Sequence, residues 1–163
     1  GGRVATFAGV CGRYGYADGP AASALFGDLT GLAVDRSGNV FVTDFDCGCV
    51  RKVVQDGTVS TVAGNGHPGF VDGTGPNARF DHLTGISVDS AGNIYASDSF
   101  TVRRVATNGT VTTIAGDKNR GGMQDSGGSL ARFDFPGGQA VDAAGNVYVA
   151  DVLNNRVRKI APR

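Results

Sequence analysis

The chain has 163 residues, and its 15 Lys plus Arg are balanced by 15 Asp plus Glu, for a formal net charge of zero. That balance supplies no field to gather nucleic acid or an anionic membrane, and no apolar run approaches the roughly 18 residues that span a bilayer. Twenty-seven glycines without a Gly-X-Y period suit many tight turns. No stretch of a dozen residues carries the apolar period of a helix.

The first expected element is a strand over Arg3-Val4-Ala5-Thr6-Phe7-Ala8-Gly9. After a long loop comes a small strand, Leu32-Ala33-Val34, led by Gly31, and then a turn, Asp35-Arg36-Ser37-Gly38-Asn39. Gly38 stands where a short hairpin loop needs positive φ, and Asp35 can accept from the turn's own amides. A β-branched and aromatic strand, Val40-Phe41-Val42, ends in Asp44. The next strand, Val50-Arg51-Lys52-Val53, encloses two basic residues, expected to lay their stems on the sheet and expose their charges. Asp56-Gly57 then signals a two-residue hairpin into Thr58–Gly64.

This series is written three times. Asp35, Asp89 and Asp142 lie 54 and 53 residues apart, each inside Asp-x-x-Gly-Asn. The loops repeat too: Gly15-Tyr16-x-Asp18-Gly19 with Ala24-x-Phe26 returns as Gly69-Phe70-x-Asp72-Gly73 with Ala78-x-Phe80, and as Gly122-Met123-x-Asp125-Ser126 with Ala131-x-Phe133. The phenylalanines are expected to plug the gaps between units, and the loop aspartates to start a helical turn. A four-strand meander with a long return loop, repeated at this period, predicts an all-β fold, a β-propeller of four-stranded antiparallel blades. The divisions are 1–9 as an outer strand, 10–64 and 65–116 as blades, and 117–163 as a blade lacking its outer strand, all one domain.

The pattern Gly-[Leu/Ile]-[Ala/Ser]-Val-Asp-x-x-Gly-Asn-[Val/Ile]-[Phe/Tyr], closing in Asn154-Asn155-Arg156-Val157-Arg158-Lys159-Ile160, resembles the NHL repeat. That resemblance implies a propeller, of which three repeats would be half a six-bladed ring. The start at Gly1-Gly2 and a lone Met123 suggest a processed chain or a piece of a longer one. The strand around Val4, Thr6 and Phe7 lacks a blade, and the strand around Arg158 and Ile160 lacks an outer neighbour. Each could repair the other, in a ring of two chains, in an extracellular filament, or within a larger protein. The expected partner is therefore a second copy, or the rest of a longer chain, with a protein or glycan ligand besides.

Cys11 is expected to pair with Cys47 or Cys49, since a direct Cys47–Cys49 bridge would be strained; a three-thiolate metal site is the sharper alternative. Such a staple implies an oxidising, extracellular setting. Asn108-Gly109-Thr110 is a glycosylation sequon, although Asn-Gly is also what a tight hairpin wants. No cofactor is expected, because a calcium ion at the loop aspartates would find one carboxylate per copy rather than a cage. Some proteins that the pattern resembles are metal-dependent lyases using channel histidines, but His67 and His82 share one loop and do not recur, so no enzyme is expected. The return loops, Val10 to Leu29, Asn65 to Leu83 and Asp117 to Pro136, differ most between copies. They nominate Tyr14, Tyr16, His67, Phe70, Lys118 and Arg120 as ligand contacts.

Overall fold

The structure, a computed structural model, describes residues 1–162. Strands β1 (Leu29–Val34), β2 (Val40–Asp44), β3 (Cys49–Val53) and β4 (Val59–Ala63) form the first antiparallel sheet, in sequence order. The second sheet contains β6 (Leu83–Val88), β7 (Ile94–Asp98), β8 (Thr101–Val105) and β9 (Thr110–Gly116), with a two-residue addition, β5 (Gly73–Thr74), on the outer edge of β9. Among the described residues the third contains β10 (Pro136–Val141), β11 (Val147–Asp151) and β12 (Arg156–Ile160). These are blades of a β-propeller, and the all-β class read from the repeats holds. No helix among the described residues is long and apolar enough to cross a membrane.

The Asp-x-x-Gly-Asn turn explains why each hairpin closes where it does. Asp35 Oδ1 accepts from the Ser37 and Asn39 backbone N–H groups at 2.9 and 2.8 Å, and Asn39 Nδ2 donates to Oδ2 at 2.7 Å. Asp89 and Asp142 repeat these contacts and add a hydroxyl, from Tyr95 and Tyr148 at 3.2 Å each. Gly38, Gly92 and Gly145 take φ of 78°, 89° and 82°, values that β-carbon sterics disfavour elsewhere.

Adjacent blades meet at their first strands and through apolar clusters. Thr30 Oγ1 donates to the Leu83 carbonyl at 2.9 Å, and Thr84 Oγ1 to that of Pro136 at 2.7 Å. Phe41, Val50 and Ala63 of the first blade pack on Phe80, Leu83 and Ile86 of the second; Tyr95, Val102 and Ala115 of the second pack on Phe133, Val147 and Val149 of the third. Phe80 and Phe133 are buried between blades as predicted, while Phe26, with no blade before it, is half-buried.

The predicted strand over residues 3–9 does not form. Val4 is 98% exposed, and the segment is tied only at its end, where Gly9 N–H donates to the Ala21 carbonyl at 2.9 Å. A strand needs an edge to pair with, and the open edge, β12, lies in the third blade, whereas this segment leads into the first.

Candidate functional site

The most specific chemistry of the fold is a buried guanidinium repeated once per blade. Arg51 and Arg103 are fully buried and Arg158 nearly so, against the expectation that these charges reach solvent. Each lies at the same register of the blade's third strand, inward of a return loop. Arg103 Nη1 meets Asp98 Oδ2 at 2.7 Å and Nη2 meets Asp72 Oδ1 at 2.7 Å, and the same nitrogens donate to the Arg79 and Val71 carbonyls. Arg51 makes the same set with Asp44 and Asp18, and Arg158 with Asp151 and Asp125. The fork geometry of arginine satisfies two carboxylates and two carbonyls at once, which an ammonium cannot do.

Aromatic rings complete the burial. The Arg103 guanidinium sits 4.2 Å from the Phe70 ring centre and 5.1 Å from that of Phe80, and Arg51 sits 4.9 and 5.1 Å from Tyr16 and Phe26. The Nε atoms of Arg51 and Arg103 have no hydrogen-bond partner among the described residues, and the rings add cation–π attraction to the guanidinium as a whole. Arg158 has Phe133 at 4.9 Å, and the place of Tyr16 and Phe70 falls to Met123 in the sequence. Two of the nominated ligand contacts, Tyr16 and Phe70, thus cover the arginines.

The loop aspartates do not start helical turns. The short 3₁₀ turns Gly75–Asn77 and Gly128–Leu130 have no side-chain cap. Instead Asp18 and Asp72 each bridge the arginine and the outer strand of their blade, while Asp125 meets the arginine alone. Thr61 donates its N–H to Asp18 Oδ2 at 2.9 Å and its hydroxyl to Oδ1 at 3.0 Å, and Thr113 does the same to Asp72 at 3.0 and 3.1 Å. Sequence reasoning missed this unit, although its signal was present: two aspartates and one arginine recur in every copy at matching positions.

Burial pushes the Asp44 and Asp98 carboxyls up, against the pull of Arg51, Arg103 and backbone N–H donors. In the turns the balance is reversed. Burial opposes ionisation of Asp35 and Asp89, but the hydrogen bonds from Asn39 and Asn93 and the turn amides outweigh it; Asp142 is lowered chiefly by Asn146.

The cysteine expectation is also corrected. The sulfurs of Cys47 and Cys49 are paired across the β2–β3 turn, and Cys11 is exposed and free. Gly48 between them adopts φ of 54°, which folds the chain back and brings the two Cα atoms to 5.3 Å, within bridging range. Asn108 is exposed in the β8–β9 turn, where its Oδ1 accepts from the Thr110 N–H at 3.0 Å.

Of the other loop candidates, Tyr14, His67, Lys118 and Arg120 are exposed. Asp46 pushes the Tyr14 phenol up to about 12. Lys118 Nζ lies 5.5 Å from the Phe70 ring centre, so neighbouring return loops touch. Asp81, His82 and Ser99 also cluster, but Asp81 Oδ2 and Ser99 Oγ both approach His82 Nδ1, at 2.8 and 3.4 Å. A nucleophile relay needs acid and hydroxyl on opposite ring nitrogens, so this trio is not one.

A cleft of 1030 Å³ runs between the second and third blades, lined by Tyr95, Arg104, Thr113, Asp125, Arg158 and Ile160 among others, where a fourth strand of the third blade would lie. A 540 Å³ recess follows the first strands.

Fold and repeat chemistry together define a three-blade β-propeller segment. The chain is 34% identical over 149 residues to NHL repeat-containing protein 2 of Bos taurus, a match covering 82% of this chain and 20% of the relative. The chain belongs to the NHL-repeat family, and it spans about a fifth of the length of the curated relatives it matches. No family model matches it. Among solved structures, a structural genomics protein of unknown function from Bacteroides thetaiotaomicron superposes with a TM-score of 0.71 at 26% identity, covering 76% of this chain and 32% of that one. An auxiliary nutrient binding protein from the same organism superposes with 0.68 at 25%, covering 80% and 36%.

Proposed function

We propose that the chain is a non-enzymatic protein-interaction module whose exposed first- and third-blade faces are covered by further blades, from a second copy of the chain or from the remainder of a longer one. One observation carries this reading. Val50 and Val102 are fully buried by the following blade, whereas Val157, their equivalent in the third blade, is 78% exposed. The opposite end matches: Leu83 and Ile86 are buried by the preceding blade, while their equivalents Leu29 and Leu32 are 49% and 64% exposed. Contact between the two ends would recreate the packing already present twice within the chain, and unpaired apolar edges rarely stay bare.

The return-loop face would then present Tyr14, His67, Lys118 and Arg120 to a protein or glycan. The nutrient-binding description of one structural neighbour is in keeping with a ligand on such a scaffold. We place the module outside the cell, on the Cys47–Cys49 pair and the Asn108 sequon. Intact mass before and after deglycosylation tests that placement, and an unmodified Asn108 in chain recovered from its source counts against the glycan.

Sedimentation velocity across a concentration series tests the association. The chain should sediment as a dimer, or as a species growing with concentration if the ends join without closing, and Val157→Lys should return it to monomer. A compact wild-type monomer at every concentration would refute the reading.

A further inference from the structure

The turn between the second and third strands is built alike in the first and third blades but tied differently. It runs through Phe45–Gly48 between the paired residues Asp44 and Cys49, and through Val152–Asn155 between Asp151 and Arg156. The backbones agree. Gly48 and Asn155 take φ of 54° and 53°, and their N–H groups donate to the Phe45 and Val152 carbonyls at 3.2 and 3.1 Å. The turn therefore forms without cysteine. In the third blade Asn154 ties it down, donating its amide to Asp151 Oδ2 at 2.9 Å and to the Gly122 carbonyl at 2.8 Å. Cys47 stands at that position in the first blade, has no amide to give, and is joined to Cys49 instead.

The same turn is the seat of the next return loop. A Cβ on Gly48 would run into the Phe80 carbonyl and lie 3.4 Å from the Pro68 Cα. That carbonyl accepts from the Gly69 N–H at 2.9 Å, which closes the loop carrying His67 and Phe70. In the second blade the seat is the Phe100 ring, against which Gly121 packs so closely that a Cβ would meet it at 2.8 Å. There the Gly122 N–H donates to the Phe133 carbonyl at 3.0 Å. One return loop thus rests on a ring, and the other on a cystine. A bridge between residues 47 and 49 closes a very short loop, and a disulfide stabilises less the shorter the loop it closes, so this one can open while the blade stands. Cys47 is 5% exposed and Cys49 fully buried, which makes Cys47 the sulfur that a reductant reaches first.

We propose that Cys47 and Cys49 form a thiol–disulfide exchange site that sets the order of the second return loop. A thiolate of a dithiol attacks the Cys47 sulfur, the Cys47–Cys49 bond breaks, and Cys49 leaves as a thiolate that takes up a proton. The second thiol of the dithiol then displaces Cys47. Two electrons and two protons pass to the protein, and the dithiol ends as its own disulfide. Cys49 Sγ lies 3.0 Å from the Cys47 carbonyl, an acceptor for the thiol so formed. With the bridge open, Cys47 has neither its partner sulfur nor an amide like that of Asn154. Gly48 then moves off the Phe80 carbonyl and the loop loses its seat. In the oxidised chain the loop holds His67 and Phe70 in one place. The switch lies between the first two blades and does not depend on how the chain associates.

The test compares the full chain as oxidised and after treatment with dithiothreitol. Alkylation of the folded chain should label one thiol, Cys11, before reduction and three after it. Amide exchange at Gly69 should be roughly tenfold or more faster in the reduced chain, while exchange at Gly122 stays within about twofold. Chain carrying Cys47→Ser and Cys49→Ser should exchange fast at Gly69 with or without dithiothreitol; if that variant does not fold, the two redox forms of the wild type decide alone. Equal Gly69 exchange in the oxidised and reduced chains would overturn the proposal. So would three labelled thiols before reduction, a pair that dithiothreitol leaves closed, or a pair that opens only with the whole fold, seen as Gly122 exchange rising together with that of Gly69.

Discussion

A guanidinium with no solvent contact and an unpartnered Nε is tolerated only because the rest of the group is fully occupied. Arg103 has two carboxylates, two carbonyls and two aromatic faces. Removing the cation leaves Asp98 buried and uncompensated, so Arg103→Met should cost about 3–5 kcal/mol in denaturant unfolding, and Arg103→Lys much of the same, because a point charge cannot reach both acids. A loss below about 1 kcal/mol would mean that the ion pairs are incidental. The turn aspartates give a pH signature. Asp35, Asp89 and Asp142 titrate below the ordinary 3.8 in the fold, so their contribution is present above the unfolded value and is lost as pH falls from about 4 through the folded values. The melting temperature should drop over that interval, and a variant with all three changed to Asn should show a shallower drop. Asp44 and Asp98, raised by burial, act in the opposite sense, but in both proteins, so the difference isolates the turns. These turns were legible in sequence because every hydrogen bond the turn aspartates make lies within six residues. The arginine unit was not, because its acids come from seven residues away in one case and 33 in the other, and a basic pair inside a strand reads as solvent-facing until those acids are placed.

At the scale of elements, the first strands of the blades press so closely that side chains are excluded at some positions and allowed at others. A Cβ on Gly85 would run into the Gly137 carbonyl, whereas one on Gly138 would meet nothing within 4 Å. Gly85→Ala should therefore destabilise by about 1–3 kcal/mol, while Gly138→Ala stays within about 0.5 kcal/mol. Thermal unfolding of the two variants side by side checks this, and equal effects would contradict the packing described. The sequence marks both glycines as leading the same kind of strand. It cannot distinguish them, since the difference lies in whether another blade follows on that side. The same limit explains the predicted strand at residues 3–9: its β-forming pattern was readable, but a strand is a property of two segments, and its partner edge lies on the far blade.

For the whole molecule, the repeat makes every interface predictable from the others. The internal contacts between blades show what each exposed end is shaped to receive: Leu29 and Leu32 stand where Leu83 and Ile86 are buried, and Val157 where Val50 and Val102 are. Residues 3–9 stand in sequence where β4 and β9 stand in structure. The association proposed for these faces would reuse the packing of the repeat rather than any added feature. Hydrogen exchange at the Thr6 amide is the most direct measure of that claim. In concentrated solution the amide should be protected along with those of Thr61 and Thr113, and on dilution it should exchange as in an unstructured segment. Fast exchange at Thr6 at every concentration, with Thr61 and Thr113 still protected, would contradict it.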